Sequence, residues 1–504
     1  MRMLFKPTNE KLWDCWMYHE GDTYYLFYLR ISAAGSWWDG ISLATSSDLV
    51  HWMERGPVIE KSPEAKWLGT GMVWKVGRRY LMNFSEEHPD REQKVYFAES
   101  DDLFAWRRLD PVCEPDGTFY LFDHAKSSNP YPRWDSLGVF SEMTDGKLTY
   151  YAFVTASFQN DRLPGRNGTL ALLESADGLN WRCLPSPLVT QGEYPNYEVP
   201  EHLEMNGRHY ALFSTNSKAG FRYDAVNASG HTGGTYYLVS DQPLSGYRKP
   251  PHANRLIGQN DVYNVTANYV GRILRVGHET LFYHIWGDPK VDGAFGTVKR
   301  IVEHRPFELA VKYLPKNDLM IGEDLLGPVS ADRFKLVKDD GALPPVKWSV
   351  GHAAVRFEDR GSSGALIAAL AVPRDVLTLS DGRFVRCRLR IDDGTGAGLV
   401  IGEPNRLYTL FLDVAAGRIE FSRLASGWEA NLVQEVVQTS PGRLEYHRSV
   451  DLRLIFRSAF LEVYLDDVYL MGVRTDSPIG TTHFGFYVET ADCEFSEIRV
   501  NALR

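Results

Sequence analysis

Apolar residues in the first two thirds of the chain fall in short runs rich in aromatic and β-branched side chains, separated by turn residues. YYLFYL, RYLMNFS, TYYAFVTAS and HYALFSTNS are four such runs, and each reads as a strand. A second kind of segment follows each of them: LATSSDLVHW (43–52), FAESDDLFAW (97–106), LLESADGLNW (172–181) and LVSDQPLSGY (238–247). Each is an apolar strand, a polar turn carrying Ser and Asp, and a closing aromatic. The closing residues Trp52, Trp106, Trp181 and Tyr247 stand 54, 75 and 66 residues apart. A fifth strand, TLFYHIWG (280–287), leads through a Gly-rich turn to GTVKRIVE (296–303). Sheet units at this period, with little helical patterning between them, predict a five-bladed β-propeller over residues 1–320.

The pattern changes after Leu314-Pro315. Residues 321–345, ending in the charged and Pro-rich KDDGALPPVKW region, are expected to be a linker. Short alternating strands then follow closely, among them RFVRCRLRI, LYTLFLDV, VDLRLIFR and THFGFYVE, which predict a lectin-like antiparallel β-sandwich over 346–504. The expected fold class is all-β: a five-bladed propeller followed by a C-terminal sandwich. The sandwich strands carry no cluster of paired acids or His, so this unit is expected to be a structural or homo-oligomerisation module.

Composition narrows the partners. The formal net charge of −10 over 504 residues argues against nucleic acid and anionic membrane. Cys15, Cys113, Cys183, Cys387 and Cys493 are odd in number and never in a C-x-x-C pair. Free thiols in a reducing compartment fit better than disulfides or a zinc site. The N-terminus has no apolar signal region, and the expected location is cytoplasmic. No spacing asks for a metal or a cofactor. Aromatic residues at 13% suit both strand cores and sugar-stacking surfaces.

Catalytic groups in a propeller funnel must come from different blades, widely spaced in sequence. Asp14 sits among Trp13, Cys15 and Trp16 just before the first strand; Asp135 heads an apolar strand in YPRWDSLGVF; Glu198 precedes a strand pair turning at Asn206-Gly207. Each alone has a plain reading as a strand-edge carboxylate. Their comparable places in three blades make them candidates to converge on the axis. Arg133 beside Asp135 is the candidate cation.

These segments resemble glycoside hydrolase family 32, the invertase, levanase and inulinase group. The family's W-M-N-D-P-N-G motif reads Trp13-Asp14-Cys15, with the Pro-Asn-Gly lost. Its H-A-x-S-x-D-L-x-H-W reads LATSSDLVHW, its R-D-P reads Arg133-Trp134-Asp135, and its E-C-P-D reads Glu198-Val199-Pro200-Glu201. GQNDVYN resembles G-x-D-F-Y-A, pointing to Asp261 and Tyr263.

The resemblance implies a β-fructofuranosidase-type hydrolase acting on fructans or fructo-oligosaccharides by a retaining two-carboxylate mechanism, with transfer as a variant outcome. Asp14 would be the nucleophile, Glu198 the acid/base and Asp135 the transition-state stabiliser. On this reading Glu198 holds a proton, and Asp14 stays ionised among hydrogen-bond donors. Trp13, Trp16, Trp38 and Trp74 are the candidate sugar-binding walls, with Arg133, Asp261, Tyr263 and His284 as further substrate contacts. His284, in FYHIWG, follows instead the sister family 43. An inverting family 43-like furanosidase on arabinosides and a non-catalytic carbohydrate-binding propeller stay open as alternatives.

Overall fold

The computed structural model describes residues 3–35, 37–89, 93–121, 133–144, 146–158, 168–194, 196–215, 232–260, 268–287, 293–327, 329, 334–338, 347–351, 354–358, 366–371, 382–403, 406–424, 434–441, 444–480 and 483–504. Two compact units divide the chain. One runs from Leu4 to Asp261 and on from Val265 to Lys316, and the other takes Asn317–Arg504.

The first unit repeats one element. Blade 1 is a four-stranded antiparallel sheet, Lys11–Glu20, Thr23–Ile31, Gly40–Ser46 and Met53–Glu60, paired in chain order. Blades 2, 3 and 4 follow the same order from innermost strands Trp67–Val76, Trp134–Thr144 and Glu198–Met205. Blade 5 begins at Tyr269–Val276, pairs with Glu279–Trp286, and continues through Lys299–Arg305 to Glu308–Tyr313.

The innermost strands pack in a ring, each on the next, and that of blade 5 packs back on blade 1. Hydrogen bonds also close the ring: Phe5, ahead of blade 1, exchanges both backbone hydrogen bonds with Phe295 of blade 5 at 3.0 Å. Closing a sheet array this way leaves no open edge at the seam. The core is aromatic and fully buried, with Trp16 stacked on Phe27 within blade 1 and Trp134 packed at a tilt on Tyr120.

The second unit is a β-sandwich around Val385, Leu389, Phe421, Leu454, Val463, Phe486 and Phe495. Two long strands, Arg383–Glu403 and His483–Leu503, pair antiparallel along most of their length. The expected linker over 321–345 is corrected here. Ile321–Asp324 pairs with the C-terminal strand and Phe334–Lys338 pairs with Leu366–Ala371. Short alternating segments such as FKLVK complete a sheet edge although the chain around them is polar. Among the described residues the helical element is a single 3-10 turn, Pro315–Met320, and no helix is long and apolar enough to cross a membrane.

Candidate active site

Every innermost strand of the propeller carries a bulge near its start. Leu12 pairs with Arg30 but Cys15 with Tyr28, so Trp13 and Asp14 stand opposite one residue. The same two-for-one irregularity falls at Gly69-Thr70 in blade 2 and at Ser136 in blade 3. It recurs at Val199-Pro200 in blade 4 and at Val270-Gly271 in blade 5. A bulge bends its strand and re-aims the adjoining side chains. Here it turns Asp14, Asp135, Glu198 and Tyr269 to the same end of the ring. Ser136, Val199 and Val270, each directly after one of these residues, have φ of 57°, 50° and 54°. For β-branched valines that region is a steric outlier, and such strain gathers at functional sites. Blade 2 contributes an absence: a Cβ on Gly69 would lie 2.0 Å from Ser85 Oγ and 2.9 Å from Asp135 Oδ1. The glycine leaves room for the acid.

Arg133 organises the mouth. Its guanidinium donates to Glu198 Oε1 at 2.8 Å and, through the other terminal nitrogen, to Asp135 Oδ2. Its Nε donates to Gln93 Oε1 at 3.1 Å. Ser85 donates to Asp135 Oδ1 and in turn accepts from Gln93 Nε2 at 3.1 Å. Glu198 also accepts from Asn196 Nδ2 at 3.0 Å and from the Tyr269 hydroxyl. Blades 2, 3, 4 and 5 thus share one polar network.

Asp14 stands apart from it. Its Oδ1 is buried with no hydrogen-bond partner, although the residue as a whole is partly exposed. Burial, then the charges of Glu198 and Asp135, push its carboxyl up to about 8. This corrects the expectation of an acid kept ionised by donors around it. Arg133 and the neighbouring amide and hydroxyls are committed to Asp135 and Glu198, which leaves Asp14 Oδ1 without them.

Below the mouth a buried ion pair fills the axis. Glu201, three residues past Glu198, accepts from Arg272 Nε at 2.5 Å and from the Ile273 backbone at 2.7 Å. Arg272 also donates to the Gly71 carbonyl at 2.6 Å. Burial pushes Glu201 up, while Arg272 and the Ile273 N–H pull it back. Both side chains are almost fully buried, so this pair serves as a floor joining blades 2, 4 and 5.

The aromatic candidates divide. Trp38 is partly exposed, packs edge-on to Trp67 at 5.5 Å, and its carbonyl accepts from Leu68 N–H at 3.1 Å, a rim position between blades 1 and 2. Trp13 is 6% exposed beside Asp14. Trp16 and Trp74 are corrected to core residues. Trp16 is stacked on Phe27, and Trp74 packs edge-on to Phe97 and Trp181 near the far end of its strand. His284 is likewise corrected: it is fully buried, next to Trp286, with Lys299 Nζ 3.0 Å from its Nε2. Asp261 and Tyr263 lie outside the described residues.

Ser85, Gln93, Asn196, Tyr269 and Arg272 are members of the site that the sequence reading does not name. Asn196 was signalled by its place two residues before Glu198, and Tyr269 by starting the fifth repeat.

Residues 14–263 match the family described as glycosyl hydrolases family 32 N-terminal domain. The chain carries a glycoside hydrolase family 32 N-terminal domain over that stretch. It is therefore a glycoside hydrolase acting on O-glycosyl bonds. Solved structures of low identity share its fold over nearly the whole length. Fructan 1-exohydrolase IIa from Cichorium intybus superposes with a TM-score of 0.66 at 13% identity, covering 99% of this chain and 96% of that one. A fructofuranosidase from Schwanniomyces occidentalis, complexed with fructose, gives 0.64 at 13%, covering 99% and 97%. Sucrose-6-phosphate hydrolase from Lactobacillus gasseri gives 0.64 at 12%, covering 96% and 88%. No curated protein matches by sequence.

Proposed function

We propose that this chain removes terminal β-fructofuranosyl units from fructans or fructo-oligosaccharides with retention at the anomeric carbon. The observation that carries the reading is the presence of three carboxyls from three blades at equivalent bulges, two of them held by one arginine. Similarity to a fructan exohydrolase and to a fructose-complexed fructofuranosidase supports the sugar class.

The chemistry needs one ionised carboxylate and one protonated acid. In the sugar-free site the proton is favoured on Asp14. A furanose whose hydroxyls donate to the unpartnered Oδ1 would supply the missing stabilisation of charge. The acid at the leaving oxygen is then Glu198. Asp14 attacks the anomeric carbon, forming a C–O bond as the glycosidic bond breaks. Glu198 gives its proton to the departing oxygen. Water, deprotonated by Glu198, then displaces Asp14, and an acceptor sugar in place of water gives transfer. Asp135, fixed by Arg133 and Ser85, holds negative charge near the oxocarbenium-like centre. Trp38, partly exposed at the rim, is the aromatic surface left for the sugar.

Product analysis against sucrose, 1-kestose, inulin, levan and aryl arabinofuranosides tests the reading. Fructose release from one or more fructosides is expected. Cleavage confined to arabinofuranosides would replace it with the family 43-like alternative, and no cleavage of any would favour a binding protein.

A further inference from the structure

Two histidines and a glutamate meet between blades 3 and 4, well away from the acids. His202 stands four residues beyond Glu198 on the innermost strand of blade 4, and His209 lies at the start of the next strand. Glu142 is seven residues beyond Asp135 on the innermost strand of blade 3. At about 3.3 Å per residue, these offsets place the group roughly 13–23 Å along the blades from the mouth. One ligating atom from each of the three residues lies within 4.8 Å of the other two.

His202 Nε2 and His209 Nδ1 are 3.2 Å apart. Two nitrogens bound to one tetrahedral zinc at 2.0–2.1 Å would be separated by about 3.3 Å, so the pair already has the edge length of such a site. The two rings are stacked, tilted by 19°, and Phe140 lies 4.0 Å from the His202 ring, which fixes its orientation. We propose that Glu142, His202 and His209 bind Zn²⁺, or a divalent transition ion of similar ligand preference, and so tie blade 3 to blade 4.

The charge balance suits this role. Glu142 supplies the negative charge and is partly exposed, so its carboxylate has room to swing onto the ion. Arg275 is the cation acting on His202, but its Nη2 is held by the Glu204 carbonyl at 2.6 Å. A His₂Glu set leaves a fourth position for water.

The competing arrangement is a plain hydrogen bond between two neutral imidazoles, which gains nothing from metal. Tag-free full-length protein, stripped with a chelator, is titrated with ZnCl₂ by calorimetry while its Tm is followed. The expected result is one equivalent bound and a rise in Tm. His209→Gln and Glu142→Gln should each weaken Zn²⁺ binding at least about tenfold and remove the rise, with turnover unchanged. Glu142→Gln alters a partly exposed side chain only, so it carries the test if the histidine variant folds poorly. No Tm rise in the parent protein would overturn the proposal, as would a rise undiminished in Glu142→Gln.

Discussion

Arg133 reaches Glu198 across 65 positions of sequence, donating from Nη1 to Oε1 at 2.8 Å, while its second terminal nitrogen holds Asp135. One planar fork therefore fixes the spacing of two carboxylates on neighbouring blades. Lysine offers a point charge and cannot bridge both in this geometry. Arg133→Lys should lower kcat roughly 10²–10³-fold, the scale for losing one charge-stabilising donor, with little change in Tm. Steady-state kinetics alongside thermal unfolding would check this. Undiminished kcat would mean that the bridge is incidental.

Asp14 and Glu198 should fail in different ways. Asp14→Asn removes the nucleophile, so an activated aryl fructoside should be cleaved hardly better than sucrose. Glu198→Gln removes the acid, so the poor leaving group should suffer most and the activated substrate should keep measurable cleavage. Pre-steady-state rates on both substrates separate the two. Equal losses on both substrates in Glu198→Gln would remove it from the acid role. Glu201 is a poor replacement, because it is committed to Arg272 on the floor.

The raised carboxyl of Asp14 makes a stability prediction whose sign is fixed. Its folded value is about 8 against an ordinary 3.8, so the native state holds the proton more tightly than the unfolded chain does. Its favourable contribution is fully present below about pH 4 and is lost as pH rises through about 8. Asp14→Asn, permanently neutral, should match the parent in Tm at pH 4 and exceed it increasingly toward pH 8.5. Thermal unfolding at several pH values measures this, and parallel curves would contradict it.

Glu201→Ala should act on stability first. It leaves Arg272 buried without its partner, at a cost of about 3–5 kcal/mol. Denaturant unfolding should show that loss, and a change confined to kcat would instead place Glu201 in the chemistry.

The blade repeat was legible because strand runs and the closing aromatics Trp52, Trp106, Trp181 and Tyr247 recur along the chain. The three acids were legible for the same reason, by their common place ahead of each repeat. The bulges were not. A two-for-one irregularity at Trp13-Asp14 changes which face each following side chain takes, and nothing in the letters marks it. That is why Trp16, two residues beyond Asp14, packs on Phe27 instead of lining the funnel. Trp74 shows the other limit: a strand of ten residues carries its two ends to opposite ends of a blade, so proximity in sequence to LGTG does not mean proximity to the acids. Ser85, Gln93 and Arg272 were illegible because their partners lie on other blades.

The central claim, that Asp14 attacks the sugar, is tested most directly by trapping. Glu198→Gln incubated with an activated β-fructofuranosyl donor, quenched in acid, digested and mapped by mass spectrometry, should carry one fructosyl unit on the peptide containing Asp14. Removal of the good leaving group needs no acid, whereas turnover of the ester needs the missing base, so the adduct should accumulate. A label on another carboxylate, or donor consumed with no label at any time point, would contradict the account.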